Sequence, residues 1–285
     1  MTRLILRNVF CTRRLSRHHA GAWLAPVLLL GAIATSVACA QEQKLPKGEA
    51  LIEKYIEVTG GKDAYKKIKN RVTKGSLEMP AQGIKIVLTT YAARPDEFRA
   101  VMESDAIGRI ERGVCDGVAW ELRTMTGPQV YDGDMKVVML RGARFDAAEN
   151  WRAIWKKAEC VGVETVDGKR CYKVAMTPNE GPAETRYYDA ESNLLVKTDL
   201  TLNLPSGKIA IESYPGDYKK FDGILYACKT RQVMMGMEQV VTTETIEHNV
   251  AIPEDRFKLP DDVKELMEID AAGDSKAKGA GSETP

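Results

Sequence analysis

Histidine is scarce in this chain. Three occur in 285 residues, and two of them, His18 and His19, sit in the basic start. Beyond it only His248 remains, in the strand-like run Glu244-Thr245-Ile246-Glu247-His248, where a lone histidine packs or faces solvent more often than it catalyses. No HExxH, GxSxG, Walker or GxGxxG element occurs, which removes the enzyme classes that announce themselves in sequence. There is no CxxC either, so neither a zinc ribbon nor thioredoxin-like exchange is indicated, and no metal or cofactor is expected. Asp and Glu are plentiful, but they fall mostly in turns or on exposed strand faces, and no spacing singles out a hydrolytic pair. A surplus of one charge is also missing, with 41 basic against 40 acidic residues. That balance leaves nothing with which to bind nucleic acid.

Acidic residues are absent before Glu42, whereas Arg3, Arg7, Arg13, Arg14 and Arg17 precede an apolar run from Ala22 to Ala38. A positive region, a short apolar stretch and small residues at a cleavage site form an export leader. The run is 17 residues long and contains Pro26 and Gly31, so it is marginal as a membrane span. Cleavage after Ala38-Cys39-Ala40 leaves Gln41 first. The alternative takes Ser36-Val37-Ala38-Cys39 as a lipobox, with Cys39 acylated. Without the leader's five arginines, 36 basic residues face 40 acidic ones, a net charge of about −4. The expected organisation is a leader over 1–40, one domain over 41–268 and a disordered Gly/Ala/Lys-rich tail over 269–285.

Cys115, Cys160, Cys171 and Cys228 remain after cleavage, and an oxidising compartment permits their pairing. Four cysteines allow three complete pairings. A two-residue turn at Asp167-Gly168 places Cys171 opposite Glu164 and Cys160 opposite Ala175, which sets Cys160 and Cys171 out of register.

The period of the apolar residues divides the remainder. Leu51, Ile52, Tyr55 and Ile56 form a helical stripe within 46–68 that ends at Gly60-Gly61, with a short second helix from Lys62 to Lys69. Alternation follows in Ile84, Ile86 and Leu88, in Val118, Trp120 and Leu122, in Tyr172, Val174 and Met176, and in Leu194, Val196 and Thr198. Such patterning means half-buried antiparallel strands. Turn residues at 92–96, 115–117, 166–168, 191–193, 205–207 and 221–223 join about ten strands, so a sheet curled into a barrel or half-barrel is expected. One segment, Asp134–Ala158, has helical spacing through Leu140, Phe145, Ala148, Trp151 and Trp155, with Lys156-Lys157 at its end. An amphipathic insert of this kind needs an apolar surface, and the open face of the sheet supplies one. The predicted cavity lining comprises Ile84, Ile86, Leu88, Phe98 and Trp120 from strands, Leu140, Trp151 and Trp155 from the insert, and Met235 from the run Met234-Met235-Met237. The competing reading assigns these side chains to an ordinary core.

Three further motifs occur in order: Arg94-Pro95-Asp96-Glu97-Phe98, Asp116-Gly117-Val118-Ala119-Trp120, and the closing run from Ile252 to Pro260. In these, and in the hairpin from Gly162 to Asp189, the chain resembles the LolA/LolB-type lipoprotein-carrier superfamily over most of residues 46–263. The resemblance implies an α+β fold, an incomplete antiparallel β-barrel whose open face is covered by helices and shelters acyl chains. It also implies that Arg94 helps control a lid and bind cargo, a guanidinium being able to hold several carbonyls at once; the plain alternative is an arginine that solvates a turn. The expected function is that of an exported, monomeric, non-enzymatic carrier or binder of lipid acyl chains or lipidated proteins. The alternative is an envelope sensor or scaffold of the same fold that binds a protein partner.

Overall fold

The computed structural model describes residues 44–279, with side chains placed from Lys44 to Ala272. The leader, its cleavage site and Cys39 lie outside the described residues. Tight turns set the architecture. Asp116-Gly117, Asp167-Gly168, Asp222-Gly223 and Met235-Gly236 each have positive φ at both residues, from 46° to 87°. Two-residue turns of that hand match the right-handed twist of the strands they join.

The strands are β1 (Asn70–Met79), β2 (Ile84–Ala93), β3 (Glu97–Ser104), β4 (Gly108–Cys115), β5 (Val118–Arg123) and β6 (Gly127–Val130). They continue as β7 (Trp155–Val166), β8 (Lys169–Pro178), β9 (Glu184–Asp189), β10 (Leu195–Leu204), β11 (Gly207–Phe221), β12 (Ile224–Met234) and β13 (Met237–His248). All form one 13-stranded sheet in the order β6-β5-β4-β3-β2-β1-β13-β12-β11-β10-β9-β8-β7. Nearly every neighbour is a hairpin partner. The exception is β1 against β13, where the two ends of the sheet-forming segment pair antiparallel from Arg71–His248 to Glu78–Val240. The sheet is not closed, because β6 and β7 are its edges.

The helices are α1 (Gly48–Val58), α2 (Lys62–Lys66), α3 (Gly133–Ala143) and α4 (Asp261–Gly279). Helix α3 touches β4 and β5 and also β10, strands far apart in the sheet order. One short helix can reach both only if the sheet curls around it, as twisted sheets of this width do. The result is an open, curved α+β half-barrel with α1 and α3 on its concave side.

Leu51, Ile52 and Ile56 of α1 are buried against Trp155 and Ala158 of β7, Val174 and Met176 of β8 and Tyr188 of β9. A second cluster joins Val114 of β4, Ala119 of β5 and Ala143 of α3. Side chains on the other face obey the same alternation. Trp120 is 1% exposed beside Ala119, but its ring lies against Gly113 and under the Arg99 guanidinium, which donates to the Arg256 carbonyl of the C-terminal segment.

Several expectations need correction. The segment 134–158 is not one helix. Helix α3 ends at Ala143, Arg144 turns extended, and the Phe145 amide donates to the Pro95 carbonyl, drawing the chain onto the β2–β3 turn. Trp151 then sits in a single 3-10 turn, and Trp155 opens β7, so Lys156-Lys157 lie on a strand and close no helix. Thirteen strands replace about ten, since the connections at 105–107, 124–126 and 235–236 turn at a positive-φ glycine with no Asp before it, Gly108, Gly127 or Gly236, a weaker signal than the Asp-Gly pairs found elsewhere. Glu164 does face Cys171, but a bulge between Cys160 and Gly162 moves Cys160 opposite Val174, one place from the expected Ala175. The four cysteines among the described residues are free thiols. Helix α4 runs across the expected tail boundary at 269 to Gly279, through Ala and Lys, which are strong helix formers. Residues 280–285 lie outside the described residues.

Candidate ligand-binding cavities

Three cavities lie along α3. The largest, about 630 Å³, is walled by Ile86, Met102 and Ile110 of the sheet, Met135 and Val138 of α3, and Met234. A second, about 390 Å³, lies between α3 and the sheet, with Phe98, Leu200 and Ile211 among its walls. The third, about 400 Å³, lies on the α1 side and is lined by Ile52, Tyr55, Trp151, Trp155 and two arginines, Arg141 and Arg186. Each falls within the usual size of a small-molecule site. Val138 borders all three, and Gly142 borders two. Residues four apart on a helix share a face, so this face of α3 is a common wall.

Methionine dominates the largest cavity. Met79, Met102, Met125, Met135 and Met234 all line it, flexible side chains that can repack around irregular apolar guests. Polar groups are few and mostly satisfied. Glu121, 1% exposed, receives hydrogen bonds from Arg112 at 2.6 Å and from Arg123 at 2.5 Å. Burial raises its carboxyl, but the two guanidiniums outweigh burial and hold it below the usual range.

The third cavity is different. Arg141 and Arg186 stand 4.7 and 4.9 Å from the centroid of the Trp155 ring. Glu184 is their shared acid, accepting from Arg186 Nε at 2.6 Å and lying 3.7 Å from Arg141 Nη2. Arg141 Nη1 donates to the Pro182 carbonyl at 2.9 Å, but its buried Nη2 has no hydrogen-bond partner.

Arg94, at the β2–β3 turn, holds two other segments together. Its Nε donates to the Ile68 carbonyl at 2.8 Å and Nη2 to the Tyr65 carbonyl at 3.1 Å, while Nη1 reaches Glu149 at 3.1 Å. The guanidinium also lies 5.4 Å from the Phe145 ring. Trp151, two residues past Glu149, donates its indole N–H to Glu53 of α1 at 2.9 Å. The 144–151 segment, one side of the third cavity, is thus tied at both ends.

No family model matches the sequence, and no curated relative matches it significantly. Solved structures do match. A DUF1329 family protein from Desulfovibrio piger superposes with a TM-score of 0.53 at 13% identity, over 75% of this chain and 98% of its own. A LolA superfamily protein from Nitrosomonas europaea gives the same TM-score at 10% identity, over 75% of this chain and 99% of its own. The fold is LolA-like.

Within the LolA-like frame, the nine residues expected to line a cavity separate. Ile86, Phe98, Trp151 and Trp155 are cavity walls. Ile84 and Leu88 pack beside Ile86 on the same strand face. Three lie elsewhere. Leu140 packs into the Val114–Ala119–Ala143 cluster, on the side of α3 that meets β4 and β5. Trp120 alternates to the opposite face of the sheet. Met235 takes φ 53° as the first residue of a turn and is 69% exposed, leaving Met234 as the inward residue.

Sequence reading missed Arg141, Glu184 and Arg186. The signal present was the alternation Glu184-x-Arg186-x-Tyr188, charged residues on one face of a strand that ends in aromatics. His248 is held by Asp222 at 2.8 Å and by the Tyr226 hydroxyl at 3.0 Å, and it borders none of the three cavities. No helix among the described residues is long and apolar enough to cross a membrane.

Proposed function

We propose that this chain is an exported, non-enzymatic carrier of lipid acyl chains, free or attached to a protein, which it shelters beneath α3. The observation that carries this reading is the set of cavities sharing one wall of α3 inside a LolA-like half-barrel, the largest of them apolar and methionine-rich. Burial of a methylene in such a space contributes about 0.8 kcal/mol, so a chain of ordinary length binds with no catalytic group involved. The segment from α3 to Trp151 acts as the lid, and Arg94 with Glu149 is its latch. Export rests on the basic, then apolar, start of the sequence. Cleavage before Gln41 makes a soluble shuttle, and acylation at Cys39 makes a tethered acceptor; N-terminal mass measurement of the mature protein separates the two.

Native mass spectrometry after exposure to a lipid extract tests the carrier reading. Retention of one or two acyl-chain ligands, displaced by a fluorescent fatty acid, is the expected result. A protein that stays ligand-free and instead forms a stable complex with another envelope protein would overturn it.

A further inference from the structure

The two arginines around Trp155 go beyond a purely apolar binding site. Their cavity holds two guanidiniums against one carboxylate, Glu184, leaving a net positive charge in a largely buried setting. The Arg141 side chain is 11% exposed, and its Nη2 lacks a hydrogen bond. An unmet charged donor is expensive, and buried polar groups without partners call for an explanation. Burial pulls the Arg141 guanidinium down, Arg186 adds to this, and Glu184 and the more distant Asp134 only partly oppose it. An anion supplied by a ligand answers that deficit. Arg112 and Arg123 offer a contrast, because they share a Glu121 held by both at hydrogen-bonding distance and are themselves 42% and 45% exposed.

Geometry also says which ligand. The arginine cavity shares Val138 and Gly142 with the apolar second cavity, which in turn shares Met135 and Ile211 with the largest. Along α3 a charged compartment therefore adjoins two apolar ones. From Arg141 back to Met135 the helix rises about 9 Å, so one extended amphiphile can occupy both kinds of space. We infer that the preferred ligand is an anionic lipid, with its phosphate or carboxylate headgroup at Arg141 and Arg186 against Trp155 and its acyl chain under α3. Planar guanidiniums suit such groups, since they can offer paired N–H donors to an oxyanion.

This inference rests on the carrier reading, and one titration separates their failures. Dodecyl phosphate, dodecanol and inorganic phosphate are each titrated against the purified protein with displacement of a fluorescent fatty acid and with calorimetry. Dodecyl phosphate is expected to bind at least about tenfold more tightly than dodecanol. Arg141→Gln is expected to erase that preference. Equal affinity for the two amphiphiles in the unmodified protein overturns the headgroup assignment and leaves the carrier standing. If neither binds, both fall. Inorganic phosphate binding as tightly as dodecyl phosphate also overturns it, since the site would then hold a free anion. The comparison on the unmodified protein decides the matter even if the variant does not fold.

Discussion

Arg94 and Glu149 meet between the β2–β3 turn and the chain that leaves α3, with Nη1 donating to Oε2 at 3.1 Å and Nη2 to Oε1. The Glu149 side chain is 9% exposed and that of Arg94 is 31%, so solvent screens the pair only partly. Removing the arginine strands a nearly buried carboxylate and also frees the carbonyls of Tyr65 and Ile68. Arg94→Leu is therefore expected to lower stability by about 3 kcal/mol, and Glu149→Gln by less. Both should speed amide exchange across 144–151 more than in the sheet, which hydrogen-exchange mass spectrometry reads. Uniform exchange changes would mean that the pair is a general brace and no latch.

The half-barrel was legible in the sequence because strand alternation and Asp-Gly turns are local signals. Asp116-Gly117, Asp167-Gly168 and Asp222-Gly223 all turn as their chemistry dictates. Met235-Gly236 does the same with an apolar first residue, and so it reads as strand. The site was less legible. Which face of β5 looks inward depends on what covers the sheet, and Trp120 and Ala119 are equally apolar neighbours; only the position of α3 decides between them. The Arg141–Trp155–Arg186 arrangement brings together a helix and two strands, and no spacing along the chain foretells that.

Gly113 is fixed by Trp120. A Cβ there would come within 2.5 Å of the indole, and the ring is buried with no room to retreat. Gly113→Ala is expected to cost about 2 kcal/mol, the scale of overpacking in a tight core. Urea unfolding followed by tryptophan fluorescence measures it. A neutral result would mean the Trp120 ring can move.

Glu53 links α1 to Trp151 and Arg152 and should make that junction acid-sensitive. Hydrogen bonding from Lys62, helped by Trp151 and Arg152 against burial, lowers its carboxyl from the usual 4.5 to about 2. A folded-state value below the unfolded one stabilises above the unfolded pKa, and the stabilisation is lost as pH falls toward the folded one. Stability should thus decline from about pH 5 toward pH 2, and Glu53→Gln should flatten part of that decline. The group is over a third exposed, so the effect is modest. Denaturation midpoints across that range check it; an identical slope in the variant would remove Glu53 from the account.

The cysteines should be free and slow. Burial, reinforced by Glu97 and Asp116, pushes the Cys115 thiol up to about 11, so little thiolate exists near pH 8. Cys171 and Cys228 are buried, and burial raises their thiols as well. A form beginning at Gln41 should release four thiols to a thiol reagent in denaturant and react far more slowly when folded. Fewer than four in denaturant would mean that the protein acquires a disulfide.

Gly142 gives the sharpest test of the cavities. It lies one residue from the end of α3, where glycine lowers helix stability by about 0.5–1 kcal/mol relative to alanine. A Cβ built there meets nothing within 4 Å, because the position opens onto the second and third cavities. Gly142→Ala is therefore expected to raise stability slightly and leave ligand binding nearly intact. Gly142→Leu keeps that helical gain but extends a side chain into the space beside Val138, so acyl-chain affinity should fall about tenfold or more while the unfolding midpoint holds. The two readouts separate plugging from damage: a misfolded variant loses both, and a filled cavity loses binding alone. If Gly142→Leu is stable and binds acyl chains as well as the parent, the ligand does not lie under α3, and the carrier reading fails at its central observation.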